Sequence, residues 1–338
     1  MPPRSYYIEP RASDYIAFAR SYFGDEAHIA EAFIKRTELP YIENADHLAS
    51  YIGVSASLIR QILHKKDYHY RKFYLPKPDG TNRLITTPKT YLKVIQWWIA
   101  DNILSNVSVD DCVHGFVRGR SYVSNAETHL GAKHLLNVDI EKFFPSISDE
   151  MVLSIFESLG YGSYGAQLLS ALCTLDGFSP TGAPTSPMIG NAVLSSFDME
   201  IREMARQQGL TYTRYADDLT FSSDSRIEDG FANQVSALIK KFGFELNDSK
   251  TKFMGTGDRK EVTGVTINDF PNLSRDWRNS ARGFLHRAFL NPHQYHNEWK
   301  RVAGIYGTLK ALDPECRKKL TQKARETLRR VKPLKNTN

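Results

Sequence analysis

The stretch from Thr211 to Ser223, TYTRYADDLTFSS, decides how this chain is read. β-Branched and aromatic residues flank the pair Asp217-Asp218, which predicts two short strands around a tight turn. Adjacent aspartates at such a turn work against stability, because like charges repel and aspartate has low strand propensity. A bound cation reverses that cost. Magnesium favours hard oxygen ligands and completes its shell with water and substrate phosphates. A third carboxylate, Asp139, closes the apolar run Leu135-Leu136-Asn137-Val138, which places it at the end of a central strand. Two strands meeting at their ends would converge three carboxylates on two metal ions. One ion would activate an attacking hydroxyl, and the other would hold a triphosphate and its leaving group. By itself an Asp-Asp pair is equally a solvated turn, so the surrounding segments have to settle the reading.

Working outward, residues 12–36 and 44–66 have helical periodicity. The string LASYIGVSASLIRQIL within the second run also has the form of a helix-turn-helix, with Gly53 at the turn; a helical subdomain packed on its neighbour is the simpler expectation. YRKFYLP, a Pro-Asp-Gly turn and TNRLITTP read as a hairpin over residues 70–88. Helices are expected over 91–105, 149–176, 190–208, 229–242 and 275–331, and short strands around 244–254 and 260–268. The order is mixed α+β, without internal repeat or low-complexity tract.

Of 338 residues, 41% are hydrophobic and 24% charged, as in ordinary globular proteins and unlike disordered chains. Cys112, Cys173 and Cys316 show neither zinc-ligand spacing nor a disulfide framework, which points to a reducing, cytoplasmic location. No signal-peptide core and no uncharged run of membrane-spanning length is present, so no membrane partner is expected. Charge is uneven. Residues 271–338 carry 16 Lys/Arg against 5 Asp/Glu, a net of +11, whereas the preceding 270 residues carry 28 against 33. A basic C-terminal part on a slightly acidic body suits a polyanion such as nucleic acid, or is merely a solvated helical surface.

Several segments in fixed order carry a family resemblance. Tyr215-Ala216-Asp217-Asp218, the upstream VDIEKFF at 138–144, GAPTSP at 182–187 and FGFELNDSKTKF at 242–253 together resemble the palm of reverse transcriptases. Lys77 and Arg83 flank the Pro78-Asp79-Gly80 turn much as that family's fingers residues do, so the resemblance covers roughly residues 70–270. It implies a right-hand polymerase: an N-terminal helical region (1–69), fingers (70–133), a palm of antiparallel sheet backed by helices (134–270, with part of the fingers interleaved) and a helical, basic thumb (271–338). It also implies roles. Asp139, Asp217 and Asp218, with the Ile140 carbonyl, would hold two Mg²⁺ ions, for which Mn²⁺ could substitute. Asp217 would be the more direct ligand of the adjacent pair. Lys77 and Arg83 would hold the triphosphate of a deoxynucleotide. The ring of Phe144 would exclude a 2′-hydroxyl, a repulsive device. Thr181 and Gly182 would lie by the incoming nucleotide, although the family often has glutamine where Thr181 stands, which leaves that contact open. Lys250 would protonate the leaving pyrophosphate, a form of help typically worth about 10²–10⁴-fold.

Two further strings narrow the resemblance. Asn125-Ala126-Glu127-Thr128-His129 is similar to the NAxxH signature of retron reverse transcriptases, and Val262-Thr263-Gly264 to their VTG signature. Membership in that group implies a cognate structured noncoding RNA, bound in part by Asn125, His129, Val262, Thr263 and Gly264 and by the basic thumb. It further implies priming from a guanosine 2′-hydroxyl, a branched RNA–DNA product (msDNA), template removal by a cellular ribonuclease H, and anti-phage defence with an effector protein. Two alternatives stay open at this point. One is another small bacterial reverse transcriptase, of abortive-infection or diversity-generating type. The other is a non-enzymatic nucleic-acid-binding protein on a polymerase-like palm.

Overall fold

The computed structural model describes residues 11–76 and 80–332. Four helices open it: α1 (Ala12–Tyr22), α2 (Ala27–Thr37), α3 (Ala45–Ile52) and α4 (Ala56–His64). The first periodic run is broken after Tyr22, where Gly24 takes φ +51°. The second divides at Gly53, φ +75°, with Asn44 and Ser55 capping the two helices through backbone N–H groups. β1 (Tyr70–Pro76) and β2 (Asn82–Pro88) form the expected antiparallel hairpin, followed by α5 (Thr90–Asn102) and α6 (Tyr122–Thr128).

The centre is a four-stranded antiparallel sheet made of β3 (His134–Asp139), β4 (Thr211–Tyr215), β5 (Asp218–Ser223) and β6 (Lys252–Met254), in the order β4-β5-β3-β6. Between β3 and β4 lie α7 (Phe143–Ser146), α8 (Asp149–Ser158), α9 (Ser163–Cys173), α10 (Ser186–Val193) and α11 (Ser195–Gln207); α12 (Asp229–Lys241) follows β5. The expected 149–176 helix splits at Gly160, φ +94°. The GAPTSP segment ends by starting α10, with proline in its first turn, where a missing N–H costs nothing. The strand expected over 244–254 shrinks to three residues, because Asp248–Lys250 winds into a 3₁₀ turn. A small sheet of β7 (Glu261–Val262), β8 (Val265–Thr266) and β9 (Asn272–Leu273) precedes α13 (Arg275–Leu290), α14 (Trp299–Leu312) and α15 (Lys319–Val331). These three helices pack around Phe284, Leu285, Val302 and Ala324 as a separate core, so the single 275–331 expectation resolves into a helical subdomain.

Strand alternation gives the central sheet two unlike faces. Leu136, Val138, Tyr212, Leu219 and Phe221 point into the main core, which α11 and α12 close with Phe197, Ile201, Phe231 and Val235. The opposite face carries Asn137, Thr213, Thr220 and Ser222 and ends at Asp139 and Asp218. Arg214 is the exception on the apolar face. It is fully buried, and its guanidinium grips the Asp198 carboxylate of α11 at 2.6 and 2.8 Å, while the Tyr212 hydroxyl donates to the same carboxylate. Removing one partner of a buried ion pair leaves an uncompensated charge and costs about 3–5 kcal/mol. Asp198→Ala should therefore lose roughly that amount in denaturant unfolding. A loss below about 1 kcal/mol, the range of an exposed pair, would contradict this placement.

Candidate active site

The aspartates are brought together by backbone register. Asp139 pairs with Asp218 across β3–β5, and Tyr215 pairs with Asp218 across β4–β5, leaving Ala216-Asp217 as a two-residue turn. The Ile140 N–H donates to the Asp217 carbonyl at 2.9 Å, and the Asn247 N–H donates to the Asp139 carbonyl at 2.8 Å. These bonds tie the turn, the end of β3 and the 247–250 segment into one unit. Ala216 has φ +59°, a conformation hairpins usually assign to glycine. The strain is held from beneath. Arg214 Nη1 donates to the Ala216 carbonyl at 3.1 Å and to Asn191 Oδ1 at 3.0 Å, and Asn191 Nδ2 donates to the Gly115 carbonyl. A Cβ on Gly115 would lie 2.4 Å from the Ala216 nitrogen, so the loop at 115 packs directly on the turn. Strained backbone persists where its surroundings over-determine it, as they do here.

The electrostatics follow from this crowding. Burial raises the Asp217 carboxyl above its ordinary range and the Asp139 charge adds to the rise, while Lys250 and Arg83 oppose it. Asp218 is pushed up to about 7, first by burial and then by Asp217 and Asp139, although solvent reaches it from one side and screens part of the effect. Lys250 Nζ grips both Asp139 oxygens at 2.7 and 2.8 Å. Burial works against its charge, but the bond to Asp139 and the field of the aspartates outweigh this and hold the ammonium above its usual range. The donor set is hard oxygen in excess of local cation. Among the described residues, no three His, Cys, Asp or Glu side chains form a ready-made cage. Such a partial set suits a divalent cation that keeps waters and takes phosphate oxygens as further ligands.

Around the carboxylates, Phe143 enters the core, whereas Phe144 is half-buried and faces Phe116, which in turn lies 6.3 Å from the Tyr215 ring. Arg83 lies on exposed β2 and its charge is felt at Asp217. Lys77 falls outside the described residues. Thr181 and Gly182 run alongside β2 and are bonded to it.

The five positions of the NAxxH and VTG strings are assembled into one module. Asn125 and His129 are buried, as is Val262. His129 sits between Ser222 Oγ (2.7 Å from Nδ1) and Thr213 Oγ1 (2.6 Å from Nε2), so it bridges β5 and β4 behind the aspartate turn. Burial, with His114 nearby, pushes it down to about 3, so the ring is neutral and each hydroxyl supplies the complementary donor or acceptor. The Thr263 hydroxyl donates to the Tyr122 carbonyl at the start of α6, and Ala126, Val262 and Val265 share an apolar cluster with Leu135 and Met254 of the central sheet. Of the five positions only Gly264 is open, at a turn with φ +79°. The supporting residues Asp198, Arg214, Asn191, Gly115 and Phe116 were not singled out from the sequence. An arginine in the strand just before the aspartates was the available signal, but its partner is 16 residues away on another element.

A family model for reverse transcriptase (RNA-dependent DNA polymerase) matches residues 75–267, more than half of the chain. The fold and the matched family define a polymerase palm. The chain is 34% identical to the retron Mx65 reverse transcriptase of Myxococcus xanthus, over 87% of this chain and 74% of that protein. It is 31% identical to the retron Ec86 reverse transcriptase of Escherichia coli, over 85% and 90% respectively. The retron Mx162 reverse transcriptase of Myxococcus xanthus is also 31% identical, over 82% of this chain and 65% of that protein. The chain belongs to the retron reverse transcriptases and is an RNA-directed DNA polymerase.

The raised Asp218 value has a consequence for stability. A carboxyl whose folded-state value exceeds its ordinary 3.8 contributes stability at low pH that is lost as pH rises, here between about 4 and about 7. In divalent-free buffer, Asp218→Asn should melt above the parent at pH 8, and the gap should narrow at pH 5. A variant no more stable than the parent at pH 8 would contradict the crowding described above.

Proposed function

We propose that this chain copies part of a cognate structured noncoding RNA into DNA, starting from a guanosine 2′-hydroxyl and giving a branched RNA–DNA molecule. The convergence of Asp139, Asp217, Asp218 and Lys250 at one end of the palm sheet, in a chain of this family, carries the reading. The β1–β2 hairpin serves as fingers and α13–α15 as thumb. The three carboxylates and the Ile140 carbonyl are the residues that would hold Mg²⁺. When bound, the metal supplies charge neutralisation at the phosphates and activation of the attacking hydroxyl. Arg83 and Lys77 take the triphosphate, and the Phe144 ring, half-buried beside Phe116, excludes a 2′-hydroxyl. As the bond from the primer oxygen to the α-phosphorus forms, the bond from that phosphorus to the bridging oxygen breaks. Lys250, which the aspartates keep protonated, gives its proton to the departing pyrophosphate.

RNA recognition falls to the turn at Thr263-Gly264 and to exposed cations of α13–α15 such as Arg275, Arg282, Arg287 and Arg325. Lys and Arg on helices suit RNA duplexes, which are read by shape, phosphate and 2′-hydroxyl contacts. Asn125, His129 and Val262 act on RNA through the shape of the module they build. A cellular ribonuclease H trims the template, and an effector protein completes a defence role, as the family implies. Among the described residues no helix is long and apolar enough to cross a membrane.

Asp217→Asn or Asp218→Asn should abolish DNA synthesis on a primed RNA template while leaving RNA binding intact; full synthesis by either variant would sink the metal assignment. Phe144→Ala should admit ribonucleotides, and unchanged sugar selectivity would point to another gate. Priming is tested on nucleic acid that copurifies with the protein from its native locus, run on a denaturing gel before and after RNase and debranching enzyme. A DNA band shifted by debranching is expected. Primer extension by purified protein with no branched DNA in the cell would favour a different small reverse transcriptase.

A further inference from the structure

Thr181 stands where the family often has glutamine, and its hydroxyl is already committed. It accepts from the Thr86 N–H at 3.1 Å and donates to the Leu84 carbonyl at 3.2 Å. The next residue continues the contact: the Gly182 N–H donates to the Thr86 carbonyl at 2.9 Å, and the Thr87 hydroxyl donates to the Gly182 carbonyl at 3.1 Å. Gly182 is needed for this approach, since a Cβ there would meet the Thr86 carbonyl oxygen at 2.9 Å. Residues 181–182 thus bond the edge of β2 that β1 leaves free.

The other side of this contact is rigid. The Ser179 N–H donates to the Ile147 carbonyl, Ser179 Oγ donates to Ser186 Oγ at 2.8 Å, and Ser186 Oγ donates to the Pro180 carbonyl at 2.6 Å. Ser179 and Ser186 are buried, so Thr181 projects from a fixed loop at the start of α10. The base of the hairpin is held by the Gln96 amide on the Tyr70 hydroxyl at 2.9 Å and by Lys72 on Asp176 at 3.4 Å, and its outer part is open. Phe73, Tyr74, Leu75 and Leu84 are exposed, and Arg83 sits beside the Leu84 carbonyl that Thr181 grips.

We propose that Thr181 is a positioning residue that straps β2 to the palm and so sets where Arg83 meets the triphosphate of the incoming deoxynucleotide. This rests on the polymerase reading and on Arg83 as a triphosphate ligand.

The test is single-nucleotide incorporation on a primed RNA template, with KM for dNTP and kcat measured separately and template binding measured alongside. A net hydrogen bond is worth about 0.5–1.5 kcal/mol, so loss of the strap predicts a rise in KM of about two- to thirteen-fold. Thr181→Val should show that rise with template binding unchanged, and Thr181→Ser, which keeps the hydroxyl, should stay near the parent. Thr87→Val, which cuts the reciprocal bond, should move KM in the same direction by less, and it keeps the test decisive if Thr181→Val folds poorly. On an Arg83→Ala background, Thr181→Val should add little, because the strap acts through Arg83. Equal behaviour of Thr181→Val and Thr181→Ser, or full additivity with Arg83→Ala, would overturn the strap. An Arg83→Ala protein with unchanged KM would overturn the assignment of Arg83, and the strap with it. Loss of all synthesis dependence on Asp217 would instead overturn the polymerase reading itself.

Discussion

Three carboxylates meet at one end of a four-stranded sheet, and their mutual repulsion is the constraint that organises the structure around them. Burial and like charge raise Asp217 and Asp218, and the nearby ammonium of Lys250 is drawn onto Asp139. A chain that gathers negative charge in this way has to hold it by force elsewhere. The force comes from the helix-backed face, where the Asp198–Arg214 pair reaches through to the Ala216 carbonyl and fixes a turn of unfavourable φ. It also comes from the polar face, where a neutral His129 joins β4 to β5.

Much of this was legible in the sequence, because local chemistry wrote it there. The apolar run ending at Asp139 could hardly be other than a central strand, and the tight turn at Ala216-Asp217 follows from the flanking strand formers. Gly53 likewise marked an element end. The buried supports were not legible. An arginine in a strand reads as a solvated residue until its partner is known, and Asp198 lies on a helix that periodicity alone cannot orient. The strand expected over 244–254 is short because the Asn247 N–H bonds the Asp139 main-chain carbonyl and Lys250 turns its ammonium to the Asp139 carboxylate, which bends the chain away from extended pairing. That NAxxH and VTG share one module was not legible either, since nothing local announces that Thr263 bonds the start of α6.

The module formed by α6 and β7–β8 gives a physical reason for two signatures so far apart to occur together. One supplies the helix and the imidazole that brace the catalytic sheet, and the other supplies the hairpin that covers the helix. The same module ends in an open turn at Gly264 and leads through β9 into the basic helices. The open Gly264 turn and the support of the aspartate turn thus belong to one continuous module, and the β1–β2 hairpin is tied to the loop before α10 separately by the Thr181 segment.

The central claim is that Asp139, Asp217 and Asp218 are gathered to hold divalent metal with the triphosphate. Titration of Mn²⁺ followed by electron paramagnetic resonance, with a dNTP and a non-extendable primed RNA template present, measures this most directly. The account predicts two protein-dependent Mn²⁺ ions on the parent and loss of tight binding in Asp217→Asn. The same number bound with the same affinity by Asp217→Asn would contradict it.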